Sequence, residues 1–190
     1  MAIGISTVPG ELQWQRPLPM KLTYHISKIH TIKSIPSDEI SAVFQRSFNR
    51  WSQVIPVEFI ETEEYKLADI NIGFYHPWDD WKSIAYTVYN PKKEIRFRAR
   101  LNWTVNIRGD DLTSRSFDLE AVAVHEIGHV LGLYHSLNED SVMYKNSLGV
   151  MDLSVEDVEN VQALYKSQRF ASPSLLSWLK NNGVYVAVVE

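Results

Sequence analysis

The first half of the chain is dominated by short segments in which apolar and polar residues alternate. The alternation is clearest at residues 20–27, where Leu22, Tyr24 and Ile26 share one side, and at residues 68–74. A period of two places successive side chains on opposite faces, which is typical of strands. With turn residues at their ends, five segments are predicted as strands: 20–27, 57–61, 68–74, 84–89 and 94–100.

A first helix is predicted between the first two strands. Ser37 is a candidate N-cap, and Pro56 closes the segment because the residue before a proline avoids helical backbone. Apolar residues recur every three or four positions, so they form one buried face. They are Ile40, Val43, Phe44, Phe48 and Trp51.

Two more helices are predicted in the second half of the chain. One spans residues 119–131, follows a cap at Ser116 or Asp118, and is apolar on most sides, as a helix inside a domain must be. The other spans residues 153–165, has Ser154 at its start and is amphipathic. The pattern as a whole therefore predicts a mixed α/β domain.

Composition narrows the class of protein. The chain has 190 residues, 45% of them hydrophobic, which is enough for one domain with a substantial core. The net charge of -4 comes without a basic cluster, so we expect neither nucleic acid nor an anionic membrane surface as a partner. No apolar run is long enough for a membrane span, and the first residues lack the features of a signal peptide. The absence of cysteine leaves the redox compartment open.

The central helix carries the pattern His-Glu-Ile-Gly-His-Val-Leu-Gly-Leu-Tyr-His. His125 and His129 lie one helical turn apart on one face, so both imidazoles can reach one metal ion. Gly132 allows the helix to end in a left-handed turn, after which His135 can supply a third nitrogen. Three nitrogen ligands and one open position are typical of catalytic zinc, whereas structural zinc has four protein ligands that usually include cysteine.

Glu126 follows the first of these histidines and lies outside the expected ligand set. Its carboxylate can approach a water molecule activated by the metal, which makes it the candidate general base and, later, acid. The alternative is a buried helix that carries histidines by chance. The glycine and the third histidine favour the metal site, because a bare His-Glu-x-x-His is much less specific.

The segments HEIGHVLGLYHS and SVMY together resemble the matrixins, the matrix metalloproteinases of the metzincin clan, and KLTY, NRW and ADINIGF extend the resemblance toward plant matrixins. The resemblance covers about residues 5–167. It implies a zincin fold with a twisted, mixed five-stranded sheet, two packed helices, a methionine turn and a C-terminal helix. It also implies a secreted zinc endopeptidase that acts on polypeptides, with Met143 beneath the zinc. We expect a monomer.

The strand region departs from the matrixin pattern, in which histidines and an aspartate bind a structural zinc beside calcium-binding acids. Tyr86 and Arg96 stand where the resemblance would place histidines, and Arg98 and Arg100 where it would place acids. Guanidinium groups cannot ligate cations. We therefore expect one catalytic zinc and no structural zinc. Calcium remains an open alternative that the arginines disfavour.

The three arginines lie two residues apart and should share one face of a strand. One hypothesis is that Arg96, Arg98 and Arg100 replace the missing cations by pairing with Asp79 and Asp80. The alternative is a solvated basic stripe, because exposed ion pairs contribute only about 0 to 1 kcal/mol.

The last part of the chain should shape the substrate site. By the resemblance, residues 144–151 form the wall of a side-chain pocket, with Lys145 in place of a proline, and Glu156 and Asp157 buttress the methionine turn. We divide the chain into a matrixin-like domain, 1–167, and a tail, 168–190. The tail either docks on the domain or frays, or its apolar residues 184–189 lie along the substrate groove as an added strand.

Three functions remain open from the sequence. The first is a zinc endopeptidase, which the intact Glu126 favours. The second is a non-catalytic zinc-containing binding or structural protein on the same fold, which the altered metal region favours. The third is hydrolysis of another acyl bond, for which the sequence offers no positive sign.

Overall fold

A computed structural model describes residues 14, 16–76, 83–89, 92–105, 116–147 and 149–166. Within these residues the chain forms seven strands and three helices. In chain order they are β1 Met20–Ile26, α1 Ser37–Ser52, β2 Val57–Glu61, β3 Ile70–Tyr75, β4 Ala85–Tyr89, β5 Lys93–Arg98, β6 Asn102–Thr104, β7 Ser116–Asp118, α2 Leu119–Leu131 and α3 Val155–Lys166.

Five of the described strands form one mixed sheet in the order β2-β1-β3-β5-β4. The first three pairings are parallel, and β4 pairs antiparallel with β5 at one edge. All five strands coincide with segments predicted from the alternation, so the mixed α/β prediction is confirmed. The bounds shift by a few residues, and Arg100 lies in the turn after β5 rather than in the strand.

Helix α1 joins the sheet to α2. All five of its predicted apolar positions are buried. Arg46 and Arg50 of α1 both pair with Glu120 at the start of α2, at 2.7 Å and 3.0 Å. In addition, the indole of Trp51 donates a hydrogen bond to the carbonyl oxygen of Val124 at 3.0 Å. The position of α2 is therefore fixed by both packing and polar contacts.

The start of α1 differs from the prediction. Ser37 is already the first helical residue, and Pro36 occupies the N-cap position without a side-chain cap bond. The amide of Ile40 donates to the carbonyl oxygen of Pro36 at 3.0 Å, which places the start of the helical pattern one residue earlier. The prediction of Ser37 as the cap was therefore wrong. A proline has no amide hydrogen, so its place at the edge of the helix leaves no donor unsatisfied.

A small second sheet of β6 and β7 was not predicted. These strands pair in parallel from Asn102 opposite Ser116 to Thr104 opposite Asp118. Each is only three residues long, too short for a periodic pattern to be detected. The sheet carries the chain directly into α2.

Arg96 of β5 has a partner that the sequence analysis did not identify. Arg96 forms an ion pair with Glu94 of its own strand at 2.7 Å, and its guanidinium carbon lies 5.2 Å from the ring centroid of Tyr75. Arg96 and Arg98 share the half-buried face of the strand, and Arg100 is exposed. The proposed partners Asp79 and Asp80 lie outside the described residues.

Among the helices that the structure describes, none combines the length and the apolarity needed to cross a bilayer.

Candidate metal centre

Helix α2 begins and ends at residues suited to these positions. The carboxylate of Asp118 accepts hydrogen bonds from the amides of Glu120 at 2.8 Å and Ala121 at 3.1 Å, so Asp118 rather than Ser116 is the N-cap. At the other end Gly132 has φ of 104°, a left-handed conformation that glycine adopts at low cost. The chain turns back there and brings His135 toward the helix.

The structure brings the three predicted histidines together. Ring centroids are 4.7 Å apart for His125 and His129, 5.2 Å for His125 and His135, and 5.0 Å for His129 and His135. One nitrogen from each ring lies within 4.8 Å of the others, and this is the group in the described part of the chain that can hold a metal ion. These distances are those expected when three nitrogen ligands surround one metal ion.

The other ring nitrogens have fixed partners. Nδ1 of His125 donates to the carbonyl oxygen of Val142 at 2.6 Å, and Nδ1 of His129 donates to that of Leu133 at 2.8 Å. The hydrogens on Nδ1 leave Nε2 of each neutral ring as a lone-pair donor. All three Nε2 atoms are buried and have no hydrogen-bond partner among the described residues. Such atoms fit a bound cation.

The protonation states agree with this interpretation. Burial and then the neighbouring His129 lower the pKa of His125 well below its usual range. Burial lowers the pKa of His129 to about 4, and burial and then Lys145 lower that of His135. A metal ligand must be neutral imidazole, so the environment favours the form that binds a metal.

Glu126 is buried beside this group. One carboxyl oxygen, Oε2, accepts a hydrogen bond from the hydroxyl of Thr87 at 2.7 Å. The other, Oε1, is buried without a partner among the residues described. Burial raises the pKa of Glu126 to about 8. Strongly shifted carboxyl groups are typical of active sites, because a base must be able to take up and release a proton near neutral pH.

The methionine turn packs directly against α2. The amide of Ser136 donates to the carbonyl oxygen of Met143 at 2.8 Å, which ties the turn to the segment that carries His135. Met143 is buried, and a Cβ built on Gly128 would lie 2.3 Å from its sulfur. The sulfur therefore occupies the space that a side chain at Gly128 would fill.

Asp157 of α3 holds the methionine turn by hydrogen bonds, as predicted. Its carboxyl group accepts hydrogen bonds from the hydroxyl of Ser141 at 2.5 Å and the amide of Val142 at 3.0 Å. It also accepts from the amide and hydroxyl of Ser154, while its own amide donates back to that hydroxyl. Glu156 contacts the adjacent segment instead, accepting from Ser136 at 2.7 Å. The start of α3 and the turn thus form one hydrogen-bonded unit.

Gly128→Ala tests the close packing of the turn. The added methyl group would overlap the sulfur of Met143 and lie 3.1 Å from the ring of Trp51. We expect a loss of about 1 to 3 kcal/mol in the free energy of unfolding despite the higher helix propensity of alanine. Urea denaturation measures it. Adding Met143→Ala should relieve the overlap, so strictly additive losses in the double variant would contradict this packing.

Three side chains that the sequence analysis did not single out hold the end of α2. The hydroxyl of Tyr89 donates to the carbonyl oxygen of His129 at 2.6 Å, Lys93 donates to that of Val130 at 2.7 Å, and Tyr165 to that of Leu131 at 3.1 Å. The carbonyl oxygen of His129 also accepts the amide of Gly132 at 2.8 Å, as is common at a helix end, where the last carbonyls lack a regular helical partner. Local sequence could not reveal the contacts, because the donors come from β4, β5 and α3.

Lys93 is the unexpected member of this set. Its side chain is 9% exposed, and its ammonium lies 4.4 Å from the ring centroid of Trp14. Burial lowers the pKa of Lys93 to about 7. A buried amine with a lowered pKa remains a hydrogen-bond donor when it is neutral, so the contact to the helix end does not require a buried charge.

Comparison with known proteins agrees with this geometry. Residues 13–166 match the family model for matrixin, more than half of the chain. The chain belongs to the matrixin family. The resemblance predicted from the zinc-binding pattern and the methionine turn is therefore confirmed. The tail, residues 168–190, lies beyond the matched segment of this matrixin and outside the described residues.

The relatives of this matrixin include plant and animal proteins. The matrixin is 39% identical over 181 residues to metalloendoproteinase 4-MMP of Arabidopsis thaliana, covering 89% of this chain and 53% of the relative. For metalloendoproteinase 1-MMP of the same plant, the identity is 39% over 170 residues, with coverage of 82% and 45%. Stromelysin-1 of Mus musculus is 30% identical over 189 residues, with coverage of 91% and 37%. The chain thus spans about half the length of the Arabidopsis relatives.

Proposed function

We propose that this matrixin is a zinc-dependent endopeptidase. His125, His129 and His135 hold the zinc, and Glu126 is the general base. The observation that carries the proposal is the group of three buried Nε2 atoms and one buried oxygen of Glu126, all without a hydrogen-bond partner in the part of the chain that the structure describes. A binding protein that needed the metal only for structure would not require Glu126. The plant relatives named as metalloendoproteinases support the same activity.

Residues of this chain can carry out the proton transfers that peptide hydrolysis requires. Zinc at this position would supply a Lewis acid that polarises the peptide carbonyl and lowers the pKa of water to about 7. Oε1 of Glu126 takes up a proton from the water molecule that attacks the peptide carbonyl, and it returns this proton to the amine that leaves when the C–N bond breaks. The hydrogen bonds from Nδ1 of His125 and His129 keep both rings oriented. Met143 forms the apolar floor of the site.

We further propose that the chain binds one zinc and no structural zinc. The support lies in β4 and β5, where Tyr86 stands directly opposite Arg96 in the register. The guanidinium lies 3.5 Å from the hydroxyl of Tyr86 and pairs with Glu94. A site filled by a fixed cation repels a second one, which also disfavours calcium.

The remaining proposals concern the whole protein. We propose a polypeptide substrate, a secreted location and a monomeric state, with the domain over residues 1–167 and a separate tail over 168–190. Family membership supports the first two. The end of the matched segment at residue 166 supports the division.

Cleavage of casein with and without a zinc chelator tests the proposed function. We expect cleavage that falls to background with the chelator and returns when zinc is added, because the neutral imidazoles release metal to a stronger ligand. Elemental analysis should find one tightly held zinc per chain. A folded, zinc-loaded chain that leaves casein intact, also after removal of residues 171–190, would refute the peptidase. More than one tightly held zinc would refute the loss of the second site.

A further inference from the structure

The edge strand β4 is connected to α2 by side-chain contacts rather than by packing alone. Thr87 is 1% exposed and lies opposite Ile95 in the register with β5. The strand therefore holds Thr87 in place from one side, while α2 covers it from the other. Threonine is branched at Cβ, which restricts rotation about χ1 and fixes the direction of its hydroxyl.

That hydroxyl contacts the proposed general base. Its oxygen lies 2.7 Å from Oε2 of Glu126 and 3.3 Å from the backbone oxygen of the same residue. A hydroxyl has a single hydrogen to donate, and the shorter contact has the usual length of a hydroxyl-to-carboxylate bond. The carboxyl group is thus held at one oxygen only, and Oε1 has no partner among the described residues.

We propose that Thr87 is a positioning residue for Glu126. By holding Oε2 it fixes the rotation of the carboxyl group, so that Oε1 is the oxygen that exchanges the proton. The inference rests on the proposed endopeptidase activity. It adds that the strand at the edge of the sheet, and not only the helix, determines where the base points.

The surrounding contacts make the proposal testable without loss of the fold. Tyr89, two residues along the same strand, donates its own hydrogen bond to the backbone of α2 at 2.6 Å. The strand therefore stays attached to α2 when the hydroxyl of Thr87 is removed. Valine has the same shape as threonine without the hydroxyl, and serine keeps the hydroxyl without the methyl group.

Thr87→Val should lower kcat about 10-fold or more, because small misplacements of a reacting group have large effects on rate. KM should change by less than about twofold and one zinc should be retained, because the hydroxyl bonds to Glu126, the proposed base, rather than to a proposed metal ligand. Thr87→Ser should recover most of kcat. Thr104→Val is the matched control. It removes a threonine hydrogen bond to the carbonyl oxygen of Phe117 at 3.0 Å in the small sheet, and kcat should not change.

A second measurement is independent of activity. Crystal structures of the metal-free Thr87→Val and Thr87→Ser variants should show Glu126 turned or split between rotamers in the first and single in the second. An unmoved carboxyl group in Thr87→Val, or an unchanged kcat, would overturn the positioning role. If the wild type itself cleaves nothing, the endopeptidase proposal fails, whereas the rotamer of Glu126 still decides whether Thr87 positions it.

Discussion

Glu126→Gln should lower kcat for casein-derived peptides by about 10²–10⁴-fold, the usual contribution of a general base. Glutamine has nearly the same shape, and its amide oxygen can still accept the hydrogen bond from Thr87. It cannot take up a proton. The loss should therefore appear in kcat with a small change in KM, because the substrate is bound but the proton has no acceptor.

The fold should tolerate this change. In the protein without metal, burial raises the pKa of Glu126 to about 8, so the fold does not depend on a charge at this position. A neutral amide in the same place therefore carries no additional buried charge. Zinc content should remain at one per chain, because the three histidines and their Nδ1 partners are untouched. Urea denaturation and elemental analysis of the same preparation check both points.

Glu156→Gln provides a matched control for this experiment. Glu156 also accepts a hydroxyl hydrogen bond, from Ser136 at 2.7 Å, but it lies in α3, outside the group of histidines. Its replacement should leave kcat unchanged. Normal turnover by the Glu126 variant would remove that residue from the mechanism, and loss of zinc together with activity would assign it a structural role instead.

The parts of the fold that could be predicted are those with a repeating local pattern. In α1 the spacing of the apolar residues alone identified the buried face, and all five positions are buried. For β3 the alternation identified a strand, although the segment was placed to begin at Ala68 instead of Ile70. In α1 the period reflects burial of one face, which the residues themselves encode, whereas β3 is buried on both faces and alternates only in residue type.

The prediction that Ser37 is the N-cap of α1 was wrong. Serine is a favoured N-cap in general, but here the backbone bond from Ile40 reaches Pro36, so the helix starts earlier. At α2 the rule was right, because Asp118 is followed by two amides that it can reach. A residue preference ranks candidates for a helix start, whereas the chain path decides between them.

The candidate site was predictable where its residues are close in sequence. His125 and His129 lie on one helix, and Gly132 explains how His135 returns to them. The contacts of Thr87, Tyr89 and other side chains with α2 come from elements far away in the sequence. They depend on the register of β4 against β5 and on the distance between the sheet and the helix. Neither quantity can be read from a local pattern.

Asp157→Ala should strongly destabilise the domain. The carboxyl group is 1% exposed and accepts bonds from the side chain of Ser141 and the backbone of Val142 and Ser154. Alanine leaves these buried donors without an acceptor. With hydrogen bonds to charged groups contributing about 1.5 to 3 kcal/mol each, we expect a loss of at least about 3 kcal/mol in the free energy of unfolding.

The measurement is urea denaturation of the metal-free and zinc-loaded proteins, with Glu156→Ala as the neighbouring control. Glu156 is only half-buried and makes a single hydrogen bond, so water can replace it as the partner of Ser136 and its replacement should change stability by about 1 kcal/mol or less. Equal effects of the two substitutions would contradict the special role of Asp157.

Asp157→Ala also tests whether the methionine turn supports metal binding. Val142 accepts the Nδ1 hydrogen bond of His125 at 2.6 Å, and its amide donates to Asp157 at 3.0 Å. Loss of the carboxyl group should therefore loosen the ring that binds the metal. Since altered outer partners of metal ligands typically reduce affinity by about 10–100-fold, Asp157→Ala should bind zinc more weakly than Glu156→Ala in competition with a chelator. Unchanged affinity in a destabilised variant would show that the turn supports the fold alone.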